Sequence, residues 1–308
     1  MSQENVAAPD SSIPQSPLVS IVVPAYNAEE TLDALITSIL QSEYPGDRLE
    51  VIIVDNNSTD STKEIIERYP VVLLSENRIQ SSYAARNLGI QRAQGEIIAF
   101  TDSDCVVDRR WIREGVRALT EGKADLVGGK IEFTFSSRKA TAELCDAARH
   151  MRNDRYIATV KGSTTANLFV RAALFRNIGP FSPTVRSGGD ILWTRKATAS
   201  GHSLVYAPEA VVYHRARGLG HLLVKNLRLG TALPKAHKDR NIGILWRIVL
   251  FISLIAPPRK AAVVEVITGS PFEGVWKRCL SIWTITYLAN LCQALGMAYN
   301  LLFRKPSR

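Results

Sequence analysis

The chain has 308 residues, of which 46% are hydrophobic, and a formal net charge of +9. A chain of this length and apolar content can bury a sizeable core, as one large domain with an appendage or as two smaller domains. The net charge alone would suggest nucleic acid as a partner, but no zinc-finger, RNA-binding or helix-turn-helix pattern is present, which excludes that interpretation.

The positive charge is concentrated in the last third of the chain. Residues 215–308 contain 15 Lys and Arg against three acidic residues, Asp239, Glu265 and Glu273, whereas residues 1–214 are slightly acidic. Such an asymmetry indicates an anionic partner for the tail. Because apolar segments share the tail, a membrane surface is favoured over nucleic acid.

The ends and the cysteines predict neither a cleaved leader nor disulfide bonds. Residues 1–17 are polar with three prolines, which predicts a disordered lead-in without a signal peptide. Cys105, Cys145, Cys279 and Cys292 are far apart and form no C-x-x-C pair. We interpret them as ordinary thiols in a reducing compartment.

Apolar runs and helical patterns alternate from residue 18 to residue 101. Strands are predicted at residues 19–23, 51–54, 71–74 and 96–101, and helices at 30–41, 61–69 and 82–94. Ser61-Thr62-Lys63-Glu64 fits a capping box at the start of the second helix. Strands and helices that alternate at this spacing predict an α/β domain with a mostly parallel sheet covered on both faces.

The pattern is less regular after Cys105, with a helix near residues 109–121, a strand near 125–131 and mixed elements as far as His214. We assign residues 18–215 to this α/β domain and residues 216–308 to a basic, helical tail.

Two polar clusters stand at the ends of predicted strands. They are Asp55-Asn56-Asn57-Ser58 and Asp102-Ser103-Asp104. Ligands bind beyond the carboxyl ends of parallel strands, so both clusters should line one crevice. Two carboxylates two residues apart can share Mg²⁺ or Mn²⁺, which prefer oxygen ligands and bridge them to a diphosphate. The alternative is a solvated acidic turn, but the fully apolar strand before Asp102 favours the metal site.

Eight short motifs follow one another at the spacings of glycosyltransferase family 2, which the chain resembles from about residue 19 to residue 214. They are S-I-V-V-P-A-Y-N from Ser20, V-D-N-N-S-T-D from Val54, A-R-N-L-G from Ala85, F-T-D-S-D from Phe100, T-A-N-L-F from Thr165, I-G-P-F from Ile178, G-G-D from Gly188 and P-E-A-V-V-Y-H from Pro208. The resemblance implies a GT-A fold, which is Rossmann-like, and an inverting transfer of a sugar from a nucleotide-diphosphate donor.

The resemblance also implies roles for individual residues. It assigns nucleotide binding to Pro24, Ala25, Tyr26, Asp55, Arg86 and Asp102. Asp55 would accept a hydrogen bond from the base, usually uracil, or it would cap a turn; Arg86 would approach the nucleotide or lie on the surface. Asp104 would hold the divalent cation, and His214 would be a further ligand, a phosphate donor or a structural residue. Many members have a second Asp where Asn56 stands.

Inversion needs a base that takes the proton of the acceptor hydroxyl. The resemblance places it at Asp190, and Gly189 stands where the family normally has a Glu. The alternative for Asp190 is a helix N-cap, a role that can coexist with catalysis. Leu192 and Lys196 replace the usual acid and arginine further along this helix. Asp154 and Glu132 are the next candidates for the base, in that order. No Q-x-x-R-W sequence of processive polymerases is present, which favours addition of a single sugar.

Two apolar stretches of the tail suggest attachment to a membrane. Residues 244–256 are short and contain Arg247, whereas residues 280–303 carry no charge and are long enough to cross a bilayer. The longer stretch has three interpretations: an in-plane helix, a membrane span or a soluble core helix. Lys277, Arg278, Arg304 and Lys305 flank it and suit an anchor among headgroups. We therefore expect a peripheral or C-terminally anchored protein on the cytoplasmic face, with a polysaccharide, glycolipid or lipid-linked acceptor.

Two other functions compete with this interpretation. A sugar nucleotidyltransferase would need a Gly-rich phosphate loop after the first strand, and Pro24-Ala25-Tyr26-Asn27 is not one. An inactive GT-A scaffold at a membrane is opposed by the presence of Asp102, Asp104 and Asp190. Acceptor selectivity is expected in the irregular segment 138–161.

Overall fold

The computed structural model describes residues 16–185, 187–238 and 244–303, and in this part of the chain eight strands form one sheet. The strands are β1 (Val19–Ala25), β2 (Leu49–Asp55), β3 (Val72–Ser75), β4 (Ile97–Thr101), β5 (Cys105–Val107), β6 (Leu126–Thr134), β7 (Asn167–Arg171) and β8 (Leu204–Arg215). Their order across the sheet is β3-β2-β1-β4-β7-β6-β8-β5.

The same residues form twelve α-helices, whose bounds lie close to the predicted ones where a helix was predicted. They are α1 (Leu32–Leu40), α2 (Thr62–Ile66), α3 (Ser82–Arg92), α4 (Trp111–Thr120), α5 (Thr141–Arg149), α6 (Asn153–Val160), α7 (Ala173–Ile178), α8 (Gly189–Ala199), α9 (Leu219–Lys238), α10 (Ile244–Ile255), α11 (Lys260–Thr268) and α12 (Cys279–Phe303).

The sheet is mixed and mostly parallel, as predicted: six of its eight strands run in one direction, among them the parallel pair β6 and β8, and β7 and β5 run against them. Strands β3, β2, β1 and β4 are parallel to one another, as the strand–helix alternation predicts. Strand β7 then runs antiparallel to both β4 and β6, and β5 runs antiparallel to β8. The regular alternation ends at β4, so the sequence pattern no longer required parallel neighbours beyond it.

Both faces of the sheet are covered, which is why its central strands are mostly apolar. All seven residues of β1 are buried. Ile21 and Val23 point to a core shared with α1 and α4, and Val22 points to a core shared with α3, α7 and α8. Helix α3 lies close to β1 at Gly89, where a Cβ would come within 2.4 Å of a methyl group of Val22. The glycine of the A-R-N-L-G motif is therefore a packing requirement.

The predicted capping box at Ser61 is wrong, because the Ser61 side chain makes no capping hydrogen bond. Asp60 caps α2 instead. Its Oδ1 accepts hydrogen bonds from the Thr62 backbone N–H at 3.1 Å and from the Thr62 hydroxyl. Asp60 and Ser61 are adjacent, and either side chain can reach the first N–H groups of α2. The sequence alone therefore did not decide which of the two residues caps the helix.

The C-terminal helices pack against the α/β domain through α5. An apolar cluster joins Leu144 of α5 to Leu222 of α9, Val266 of α11 and Ile282 of α12. None of the helices within residues 16–238 and 244–303 combines the length and hydropathy of a membrane span. The predicted lead-in up to residue 15 and the flanking residues Arg304 and Lys305 lie outside the described residues, and the domain boundary at 215 stays a prediction.

Candidate active site

The candidate metal ligands come together through strand register. The turn Asp102-Ser103-Asp104 joins β4 to β5, and β5 pairs with β8 so that Cys105 lies opposite His214. This register places Nε2 of the buried His214 ring 3.2 Å from Oδ2 of Asp104. Two residues 110 positions apart thus form one site at the end of β4.

The residues present at this site fit a divalent cation. A carboxylate oxygen and an imidazole nitrogen are both common ligands of divalent metal ions. Burial would raise the pKa of Asp104, but His214 and Arg217 outweigh it and hold that pKa well below its usual range, so the carboxylate is ionised. Nδ1 of His214 is buried without a hydrogen-bond partner among the described residues. Cys105 is close by, but burial and the two nearby carboxylates raise the pKa of its thiol well above the usual value, so it is a poor ligand.

Arg86 is buried and pairs with Asp102, so it is not the surface arginine of the alternative interpretation. Its side chain is 3% exposed, and its Nη2 forms an ion pair with Oδ1 of Asp102. Burial raises the pKa of Asp102, Arg86 opposes that shift, and the charges of Asp104 and Asp190 add to it. The first acidic residue of the turn is therefore held by α3 and lies within electrostatic reach of Asp190.

Asp55 caps a turn, as one of its two interpretations predicted. Its carboxylate accepts hydrogen bonds from the backbone N–H groups of Asn57 at 3.1 Å and Ser58 at 3.2 Å, and Lys63 lies 3.4 Å away. The Asp55 side chain has no exposed surface, so its contact with a base stays a prediction. Tyr26 at the end of β1 is 52% exposed and presents an aromatic ring beside this turn.

The structure explains why Asn56 is not an acid. The side-chain amide of Asn56 donates hydrogen bonds to the carbonyl oxygens of Glu76 at 2.8 Å and Ile79 at 2.9 Å. A carboxylate has no proton to donate and would face both carbonyl oxygens in a buried position. Asn56, which replaces the Asp of many family members, therefore holds the loop after β3 through its side-chain amide.

Asp190 lies in the first turn of α8 and is buried among hydrogen-bond donors. Its Oδ1 accepts from the Tyr83 hydroxyl at 3.0 Å and from the Ile191 N–H at 2.9 Å. Its Oδ2 accepts from the Thr165 N–H at 3.0 Å and from the Thr165 hydroxyl at 3.3 Å. The N-cap position belongs to Gly188, so the interpretation of Asp190 as an N-cap is wrong.

Tyr83 is the residue that fills the space beside Gly189. A Cβ on Gly189 would lie 2.9 Å from the Tyr83 ring, and the Gly189 N–H donates to the Tyr83 hydroxyl at 3.0 Å. Any side chain at position 189 would therefore displace the phenol. The absence of the family's Glu at this position follows from the presence of this tyrosine.

Three other residues considered from the sequence are engaged in contacts of their own. Lys196 donates to the Ile178 carbonyl oxygen at 2.8 Å, so its ammonium group is already engaged at the end of α7. Asp154 forms an ion pair with Arg152 at 2.7 Å, and Glu132 forms one with Lys130. Both carboxylates are therefore already engaged in ion pairs.

Sequence reasoning missed Tyr83 and Arg217. Tyr83 precedes Arg86 by one helical turn of α3, a spacing that puts both side chains on one face. Arg217 follows His214 by three residues, and its Nη2 contacts that ring and Asp104. Tyr83 and Arg217 each lie next to a family motif, and this position is the sequence signal that could have identified them. Neither residue belongs to a motif.

Comparisons with known proteins agree on the family. The sequence model described as Glycosyl transferase family 2 matches residues 20–177. Glycosyltransferase AglE of Haloferax volcanii is 38% identical over 219 residues, which cover 70% of this chain and 72% of AglE. The poly(ribitol-phosphate) beta-N-acetylglucosaminyltransferase TarS of Staphylococcus aureus is 24% identical over 244 residues, which cover 72% of this chain and 42% of TarS.

Solved structures agree on the fold. The mannosyltransferase PcManGT of Pyrobaculum calidifontis, determined with GDP-Man and Mn²⁺, superimposes with a TM-score of 0.66 at 20% identity and covers 98% of this chain and 92% of its own. A crystal structure of S. aureus TarS 1–349 with UDP-GlcNAc gives a TM-score of 0.53 at 18% identity and covers 93% of both chains. Likenesses at this identity support the GT-A fold alone.

Proposed function

The chain belongs to glycosyltransferase family 2, and from this premise we propose that it transfers a single sugar, with inversion, from a UDP-sugar to a polysaccharide, glycolipid or lipid-linked acceptor. That it is a glycosyltransferase with a nucleotide-sugar donor follows from its relatives. The observation that carries the finer proposal is the pairing of Asp104 with His214 at the end of β4, next to Asp102, which lies within electrostatic reach of Asp190.

Each residue of the site has a distinct role in the proposed reaction. Asp190 accepts the proton of the acceptor hydroxyl while that oxygen attacks the anomeric carbon from the side opposite the diphosphate. Tyr83 and Thr165 hold the carboxylate in one orientation. Asp104 and His214 would hold Mn²⁺ or Mg²⁺, which neutralises charge on the departing diphosphate when it is bound. Arg86 pairs with Asp102 and would hold it near the ribose of the bound nucleotide.

The donor is proposed to be a UDP-sugar because TarS binds UDP and UDP-GlcNAc in its crystal structures, and because base recognition in the family usually concerns uracil. The alternative donor is a GDP-sugar, because the structure of PcManGT was determined with GDP-Man. Tyr26 offers a ring on which either base can stack, and the Pro24-Ala25 backbone forms the wall of that pocket.

The test is a panel of nucleotide sugars incubated with the purified protein and Mn²⁺, with release of the nucleoside diphosphate as the readout. We expect slow hydrolysis of one UDP-sugar and none in the Asp190→Asn variant. If the protein binds no nucleotide sugar and hydrolyses none, the alternative of an inactive scaffold replaces the proposal. Synthesis of a sugar nucleotide from a sugar phosphate would point to the nucleotidyltransferase alternative.

We also propose that the C-terminal region attaches the enzyme to an anionic membrane surface on the cytoplasmic face, where nucleotide sugars are made. Helix α10 exposes Leu245 and Ile252, which are 73% and 54% accessible. Leu280 at the start of α12 is 78% exposed. Arg259 and Lys260 at the start of α11 are also exposed, so apolar and basic groups occur together as an anionic bilayer requires. An acceptor with a lipid anchor would be presented at this surface.

A further inference from the structure

Arg217 lies just beyond β8 and contacts both proposed metal ligands. Its side chain is 17% exposed. Nη2 of its guanidinium group lies 3.0 Å from Nε2 of His214 and 3.4 Å from Oδ2 of Asp104. The two ligand atoms are 3.2 Å apart. One atom of Arg217 therefore contacts the pair that the proposed function assigns to a divalent cation.

The chemistry of this contact excludes a bound metal ion at His214. An arginine side chain donates hydrogen bonds and accepts none. When Nε2 of His214 accepts a hydrogen bond from Arg217, that contact uses the single lone pair of the nitrogen. A metal ion bound at Nε2 would need the same lone pair. Arg217 and the metal cannot use His214 at the same time.

The guanidinium group of Arg217 also lies where a cation shared by the two ligand atoms would lie. Its Nη2 contacts Nε2 of His214 and Oδ2 of Asp104 together, so its positive charge would oppose that of a metal ion at the same place. We infer that Arg217 occupies the metal site until a divalent cation binds, that it keeps Asp104 and His214 in place during that time, and that metal binding displaces it. The inference rests on the proposed function, because it takes these two residues as the metal ligands.

A second carboxylate provides the position to which the guanidinium group can withdraw. Asp146 of α5 has no exposed surface, and the Arg217 backbone N–H donates to its Oδ2 at 3.0 Å. Nη1 of Arg217 lies 3.4 Å from the same oxygen, and Lys225 of α9 lies 3.1 Å from Oδ1. Since the backbone is anchored at Asp146, the side chain can shift between the two carboxylates without movement of the chain.

Substitution of Arg217 and substitution of Asp146 should change the affinity for Mn²⁺ in opposite directions. Arg217→Met keeps the apolar stem and removes the competing charge, so Mn²⁺ should bind more tightly in the absence of donor. Asp146→Asn removes the position to which the guanidinium group withdraws, so Mn²⁺ should bind more weakly. Arg217→Lys should fall between wild type and Arg217→Met, because a lysine keeps the charge but not the planar fork.

The experiment is titration of full-length protein with Mn²⁺ alone, followed by calorimetry and by the electron paramagnetic resonance signal of free Mn²⁺. We expect Arg217→Met to lower the dissociation constant about three- to tenfold, the scale of a partly exposed charge pair. Arg215→Met is the matched control, because Arg215 is an exposed arginine two residues earlier. Its dissociation constant should equal that of wild type. Thermal unfolding checks that each variant is folded.

Equal or weaker Mn²⁺ binding by folded Arg217→Met overturns the inference while it leaves the proposed function standing. If wild-type protein binds neither Mn²⁺ nor Mg²⁺, even with UDP present, the metal site itself fails and both proposals fall. Should Asp146→Asn not fold, the comparison of Arg217→Met with Arg215→Met decides alone. If it folds, the double variant with Arg217→Met should regain the tight binding of Arg217→Met.

Discussion

The Tyr83 hydroxyl donates a hydrogen bond of 3.0 Å to Oδ1 of Asp190 and accepts one of 3.0 Å from the N–H of Gly189. It therefore ties the start of α3 to the start of α8. Tyr83 is buried, and its ring packs against Phe181 with 5.8 Å between the centroids. A phenol fixed at both its ring and its hydroxyl fixes the orientation of the carboxylate that it contacts. Tyr83 is thus a positioning residue for Asp190.

Tyr83→Phe should lower turnover about tenfold and change KM for the donor little. The variant leaves the Gly189 N–H and one lone pair of Asp190 without a partner, which costs about 1–3 kcal/mol in the free energy of unfolding. Tyr44→Phe is the matched control, because it removes a 2.6 Å hydrogen bond to the Pro17 carbonyl oxygen, away from the site. Steady-state kinetics should separate the two variants. Equal turnover in both would reduce Tyr83 to a structural residue.

Asp190→Asn should lower the transfer rate by about 10²–10⁴-fold, the usual contribution of a general base. The amide nitrogen of the new side chain would also face a donor, either Tyr83 or Thr165, so a modest loss of stability is expected. Binding of the donor nucleotide should persist, as calorimetry would show. Transfer at a near wild-type rate would move the base to another residue, with Asp154 and then Glu132 as the next candidates despite their ion pairs.

The half of the fold that obeys simple periodicity was predictable from the sequence. Strands β1 to β4 are apolar runs bounded by turn residues, and parallel strands place their carboxyl ends at one edge, so Asp55 and Asp102 could be assigned to one crevice. Beyond β4 the sheet depends on non-local pairing, and neither the antiparallel insertion of β7 nor the pairing of β5 with β8 leaves a periodic signal.

The residues of the candidate site that belong to sequence motifs could be predicted. The residues whose role depends on packing between distant parts of the chain could not. His214 reaches Asp104 through strand register, which the motif order suggested but the spacing alone did not. The link between Tyr83 and Gly189 joins residues 106 positions apart, and it depends on the space that the absent side chain leaves. In the sequence Arg217 is one of many basic residues of the tail, and a charge count does not show which of them points inward.

Asp104→Ala should abolish transfer and the metal-dependent part of donor binding while the fold remains intact. The residue supplies the carboxylate oxygen nearest His214, and no other carboxylate of the described residues lies in that metal-ligating group. Asp47→Ala is the control, because the Asp47 side chain is 81% exposed in the short 3-10 helix Gly46–Arg48. Donor binding measured with and without Mn²⁺ is the readout. Unchanged wild-type activity in EDTA would remove the cation from the mechanism.

Acid should destabilise the junction between α5 and the C-terminal helices through His150. Burial, with a further contribution from Lys225, lowers the pKa of His150 to about 4, although Asp146 opposes the shift. The unfolded chain takes up the proton near pH 6.5, so stability present above that pH is lost as the pH falls towards 4. The loss is on the order of 2–3 kcal/mol. Urea unfolding at pH 7.5 and pH 4.5 should show a smaller difference for His150→Gln than for wild type, and His221→Gln should behave as wild type does.

The C-terminal region should carry full-length protein onto vesicles that contain anionic lipid. Each basic residue near such a leaflet contributes at most about 1 kcal/mol, so a handful suffices when apolar side chains also insert. High salt should weaken the association only in part, because insertion is not screened. Removal of the tail would expose Leu144 and the rest of the apolar cluster on α5, so point variants test the surface better than truncation.

The double variant Leu245→Asp with Ile252→Asp should therefore lose most of the association, because it places two charges on the exposed face of α10. Arg259→Glu with Lys260→Glu should lose the salt-sensitive part only. Leu40→Asp, at an exposed apolar position on α1, is the control and should sediment as wild type does. Co-sedimentation with vesicles of matched size, with and without anionic lipid, is the measurement. If wild-type protein stays in the supernatant with every lipid composition, the exposed apolar and basic groups serve a protein partner or a soluble anionic acceptor, and attachment to a membrane is wrong.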